Sequence, residues 1–179
     1  VFPGFEIASN DKTHFVCLFS EDTTAQSLER YLGHLDLLDP EERILPSRLS
    51  STQLIEKIEQ LGGFIYAAHC THDSGLLKNR LNHVWKHPML RAAQIPGSVE
   101  DLAGVDGDFY RRVLLGRDDA YRRERQVAVI NAKDVAKPED LEQASATCLI
   151  KMTRPTFAAF KVAFLDPESR IRLHSTQAK

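Results

Sequence analysis

Apolar residues follow two rhythms along this chain. The compact runs 13–19, 64–68 and 126–132 read as buried strands. Other stretches place an apolar residue every three or four positions, which is the signature of an amphipathic helix. Leu28, Leu32 and Leu35 share one face of a helix that Thr23 or Thr24 can cap. Leu54, Ile58 and Leu61 stripe a second helix, capped by Ser51 and stopped by Gly62-Gly63. Residues 1–7 read as a short strand interrupted by Pro3-Gly4, and 71–82 as a loop with a short helix. Strands are expected at 90–95, 147–152 and 169–173. Helices are expected at 108–115 and at 155–165, the latter with proline at its start. Polar or charged loops take 39–50, 118–125 and 134–146. Strands alternating with helices favour an α/β sheet or barrel. No repeat, low-complexity tract or linker divides the chain.

Polar residues stand at the edges of the apolar runs. Ala67-Ala68 carries the run 64–68 straight into His69, and small side chains there let neighbouring backbone come close. Glu6 ends the first run, His14 sits beside 15–19, and Asp134 follows 126–132. In parallel α/β folds, chemistry is usually placed at the carboxyl ends of strands. Two imidazoles with two carboxylates suit zinc, manganese or iron, and a bridging carboxylate suits a two-metal site. Taken singly, each residue also fits a structural role, as a surface acid, a strand-edge histidine or a turn cap.

Composition narrows the function classes. With 179 residues, 42% of them hydrophobic, the chain can bury one sizeable core. A formal net charge of −2 argues against a bulk electrostatic grip on nucleic acid, while leaving room for a local basic patch. Six arginines between Arg111 and Arg125 form such a candidate, interleaved with Asp118, Asp119 and Glu124. Trp85 and Tyr110 could stack on bases or pack in the core. Three cysteines without a CxxC spacing point to reduced thiols and a cytoplasmic setting. No apolar run approaches ~18 residues, so no transmembrane helix is expected. No phosphate-binding loop of ATPase type is present. The chain opens in mid-strand, as expected of a piece of a longer protein.

Several segments resemble the PHP (polymerase and histidinol phosphatase) family of metal-dependent phosphoesterases. Residues 1–7 are similar to its "PGxE" segment, and His14 leading 15–19 resembles the next. Ala67-Ala68-His69 is similar to its "AHP-like" segment, and 131–134 to the final "D-x-H" segment at its Asp. Residues 150–157 and 163–172 resemble PHP domains fused to AAA- or SMC-like ATPases. The resemblance implies a distorted (β/α)7 TIM-like barrel, incomplete at its N-terminus, over residues 1–173, with 174–179 a tail or linker. It implies up to three divalent ions (manganese, zinc or iron) on Glu6, His14, His69 and Asp134, with Glu6 the bridging carboxylate. No separate catalytic acid is assigned. His72, close behind His69, is a weaker candidate for a phosphate contact or proton relay.

The function implied is a phosphoesterase, of nuclease type, coupled to an ATPase module. The family's opening His-x-His and Asp-His segments would precede Val1, and Ala136 stands where the family often has histidine. A small-molecule phosphatase of the same fold is the first alternative, and an inactive binding or regulatory module the second. The oligomeric state is left open.

Overall fold

The computed structural model describes residues 1–38, 45–131, 137–143 and 147–173. Asp134, Ala136 and the tail 174–179 therefore lie outside the described residues, as do parts of the polar loops at 39–44 and 144–146. The strands are β1 (Gly4–Ala8), β2 (His14–Leu18), β3 (Leu45–Pro46), β4 (Phe64–Ala67), β5 (Ala92–Ile95), β6 (Ala128–Asn131), β7 (Cys148–Ile150) and β8 (Ile171–Leu173). The α-helices are α1 (Ala25–Leu32), α2 (Ser51–Gln60), α3 (Asn82–Trp85), α4 (Gly107–Leu114), α5 (Phe157–Ala163) and α6 (Pro167–Arg170).

Local chemistry sets these boundaries. Thr24 caps α1 by accepting from the Ser27 amide. Ser50, one residue before the expected cap, forms a capping box with Gln53 on α2. Gly62, at φ +80°, turns the chain out of α2, a conformation glycine adopts without steric cost. Pro155 lies outside α5, whose cap is Thr156; Glu21 reaches across to accept from the Phe157 amide at 3.1 Å. The short helix expected within 71–82 forms later, as α3, and α6 precedes the last strand.

Six strands form one sheet in the order β3-β1-β2-β4-β5-β6. The pairs β1–β3, β4–β5 and β5–β6 are parallel, while β1–β2 and β2–β4 are antiparallel. The architecture is mixed α/β, with a mostly parallel sheet. The five-residue turn between β1 and β2 is too short for a helical crossover, so β2 must run backwards. Among the described residues the ladder ends at β3 and β6. β7 and β8 form a separate antiparallel hairpin.

The side-chain alternation of the strands makes two cores. Phe5, Ile7, Phe15, Cys17, Ile65, Ala67, Ala93 and Ile95 face α1 to α4. Trp85 and Tyr110 are buried in this core, so packing, not base stacking, is their role. On the other face, Leu18, Phe64, Ala92 and Ala128 meet Phe157, Phe160 and Phe164 from α5 and its end. Phe64, Ala92 and Ala128 open their strands and Leu18 closes β2. The aromatic cluster therefore plugs one end of this face and leaves the other end for polar residues.

Candidate metal centre

Register places Glu6 and His14 on the face that α5 only partly covers. Glu6 pairs with Val16, and His14 with Ala8, two residues along the same ladder. Because β2 is antiparallel, its first residue lies beside the last residues of β1 and β4. His14 thus reaches the carboxyl end of the parallel strands from an amino end. His69 comes two residues after β4.

Backbone contacts hold His69 there. Its φ of +28° is unusual for a residue with a Cβ. The His69 amide donates to Gln94 Oε1 at 3.1 Å, and the Cys70 amide to the Gln94 carbonyl at 2.8 Å. The Ala68 amide donates to the His14 carbonyl, and the His14 amide to the Ser74 carbonyl, both at 3.0 Å. Gly75 closes the loop where a Cβ would stand 2.5 Å from the His69 carbonyl oxygen. Gln94 was not singled out by sequence, although a lone amide in the apolar strand Ala92–Ile95 is a readable signal.

Glu6 Oε1 lies 3.3 Å from His14 Nδ1 and 3.4 Å from His69 Nε2, and the imidazole rings are 5.2 Å apart. All three ligand atoms fall within 4.8 Å of one another. The facing imidazoles, His14 first and then His69, outweigh burial and hold the Glu6 carboxyl down to about 2. Glu6 is ionised at any working pH.

The donor set fits a divalent ion. Ligands 2.0 to 2.2 Å from a metal at tetrahedral or octahedral angles stand about 2.8 to 3.6 Å from each other. The Glu6–His14 and Glu6–His69 separations fall in that range and are long for charge-assisted hydrogen bonds. His14 Nδ1 is buried without a well-aligned hydrogen bond, although the carboxylate faces it. Two imidazoles and one carboxylate also leave coordination positions open, as catalytic sites do.

Of the expected site residues, the fold thus brings together Glu6, His14 and His69. His72 stands outside this triangle but lines, with His69 and Asp73, an open concavity. Among the described residues, no lysine or arginine is part of that lining. Asn131 ends β6 with both side-chain polar atoms buried and unpartnered among the described residues. The thiols of Cys17 and Cys70 are deep in the core, where burial pushes both up, Cys70 to about 12. Among the described residues, no helix is long and apolar enough to cross a membrane.

No family model and no curated protein sequence matches this chain. A solved structure does: the novel lesion-specific endonuclease PfuEndoQ from Pyrococcus furiosus, with a TM-score of 0.58 at 12% sequence identity. The match covers 87% of this chain and 36% of the endonuclease chain. The two share a fold. This chain spans about a third of the endonuclease's length.

Proposed function

We propose that this chain holds a divalent metal centre on Glu6, His14 and His69 and hydrolyses phosphodiester bonds in nucleic acid. The observation that carries this reading is the ligand triangle, two of whose sides have metal-like spacing, at the end of the sheet that the α5 aromatics do not fill. The fold shared with an endonuclease and the resemblance of the segments around these residues to PHP phosphoesterases support the same reading. When bound, the ion supplies Lewis acidity toward a phosphoryl oxygen and acidifies water. The chain's own residues do the rest. The ladder fixes Glu6 and His14, and Gln94 and Ser74 fix the loop that presents His69. His72 and Asp73 line the concavity beside His69, and His72 can donate to a phosphoryl oxygen there.

The openness of the concavity favours a polymer over a small phosphomonoester. A dianionic small substrate needs an enclosing pocket with converging cations, and none lines this one among the described residues. The finer parts of the reading are Asp134 as a further ligand, manganese, zinc or iron as the metal, and a PHP-type barrel over 1–173. They also include an ATPase partner and attack on a lesion-bearing or unmodified strand.

Elemental analysis of the purified chain and of His69→Ala tests the proposal, together with hydrolysis of bis(p-nitrophenyl) phosphate and of an oligonucleotide. Metal that is lost in the variant, with hydrolysis lost in parallel, is the expected result. Metal without hydrolysis of either substrate would leave a binding or regulatory module. An absence of metal in the parent chain would overturn the centre itself.

A further inference from the structure

We infer that Lys12, Lys78 and Arg80 form a cationic strip that carries the phosphodiester backbone of a nucleic-acid strand past the ligand triangle. The inference rests on the proposed function for its substrate and goes beyond it in naming the path. Lys12 lies in the turn between β1 and β2, two residues before His14. It is exposed, with φ +60°, and has no acidic partner within 4 Å among the described residues. Lys78 and Arg80 lie in the loop that follows His69. Both share a single carboxylate: Lys78 Nζ is 3.3 Å from Asp106 Oδ2, and Arg80 pairs with the other oxygen. Two cations on one acid leave a net positive charge there. Their side chains are 45% and 46% exposed. The Arg80 guanidinium is also fixed by stacking 3.5 Å above the Phe109 ring.

The two loops are stitched together. Asn79 Nδ2 donates to the Lys12 carbonyl at 3.2 Å and to Thr13 Oγ1 at 3.3 Å, and the His14 amide reaches the Ser74 carbonyl. The cations are therefore held in a fixed relation to a ligand histidine. The acids on the same loops offset them only in part. Asp11 is spent on the amino end of α2, accepting from the Ser51 amide and hydroxyl, and Asp73, at the concavity, acts on Lys78 more weakly than Asp106 does. A phosphodiester backbone carries a negative charge at every nucleotide, which suits cations spaced along two loops.

The test is the salt dependence of binding to a single-stranded oligonucleotide, with metal content measured on the same samples. Lys12→Ala and Lys78→Ala are each expected to lower the slope of log K against log salt by about 0.7 per lost phosphate contact. Lys78→Arg should keep the slope, and Arg122→Ala, in the arginine-rich segment, should leave it unchanged. Slopes unmoved in both alanine variants would overturn the strip. So would a metal-loaded parent chain that binds no oligonucleotide, and this would leave the metal centre standing. Shifted slopes in a chain without metal would support the strip while removing the hydrolytic reading.

Discussion

Six arginines fall between Arg111 and Arg125, whereas Lys12, Lys78 and Arg80 lie on the two loops that carry the ligand histidines. Most of the arginine charge is consumed locally. Arg111 pairs with Asp108 and donates to the Leu102 carbonyl, Arg112 lies 3.8 Å from Asp118, and Arg122 lies 2.6 Å from Asp119. Arg123 is driven inward, where burial lowers its pKa to about 10. It has no acidic partner among the described residues and donates to the carbonyls of Trp85, His87 and Arg125. At the strand mouth, where these histidines sit, the charge is consumed less completely: Lys78 and Arg80 share Asp106, and Lys12 is exposed with no acidic partner among the described residues. Backbone hydrogen bonds hold the loops there, and Glu6 and the two histidines face one another. Charge density along a sequence therefore does not locate a charged site. What matters is whether the neighbours satisfy the charge or the backbone frees it.

The sharpest way to break the contrast is to loosen the mouth. Gly75→Ala places a Cβ about where the His69 carbonyl oxygen and the Cys70 peptide already stand, at 2.5 to 2.7 Å. The loop must move, and it carries both His69 and the carbonyl that receives the His14 amide. A loss of ~3 kcal/mol is expected from overpacking against backbone, together with loss of bound metal. Urea denaturation and elemental analysis read the two effects. Parent-like metal content in a destabilised Gly75→Ala chain would mean that the loop does not set the ligand geometry.

The arginine-rich segment offers the complementary test. Arg123→Lys keeps a positive charge but cannot serve three carbonyls with a planar fork. Hydrogen bonds from a charged donor support a loss of ~2 kcal/mol in folding stability, with metal content and oligonucleotide binding unchanged. If binding fell and stability did not, the segment would be an interaction surface after all.

How much of this was legible in the sequence follows from the kind of interaction involved. Runs such as 13–19 and 64–68, and the Gly62-Gly63 stop, mark β2, β4 and the end of α2 because burial and backbone freedom act locally. Glu6, His14 and His69 were readable as strand-edge polar residues. Their convergence depends on β2 running antiparallel, which follows from the length of the turn at 9–13. The support beneath them was less visible. Gln94 acts through a contact 25 residues from His69, and Asn79 reaches Thr13 across 66 residues. Lys12 is remote in sequence from Lys78 and Arg80, and only the contacts of Asn79 with Lys12 and Thr13 link their loops. The arginines of 111–125 do cluster, and their interleaved acids offered a self-neutralised reading that holds for Arg112 with Asp118 and Arg122 with Asp119.

Asp11 allows the finest cut, because it is a mouth residue that uses its charge as the arginine segment does. Its carboxylate accepts from the Ser51 amide at 3.0 Å and from the hydroxyls of Ser51 and Ser9, so it braces the start of α2. Burial raises its pKa, but these hydrogen bonds prevail and hold it below the ordinary carboxylate value. A carboxyl depressed in the folded state contributes stability above its unfolded pKa, about 3.9, and loses it as pH falls through the folded value. Asp11→Asn removes that titration and should cost ~1 kcal/mol near neutral pH, because a negative charge at the amino end of α2 is lost. The gap between parent and variant should then narrow from about pH 5 to about pH 3, since only the parent loses this contribution. Urea midpoints across that range measure it. A constant gap would mean that Asp11 supports α2 by shape and not by charge. In that case it could no longer be counted as spent, and its negative charge would weigh against Lys12 on the same turn.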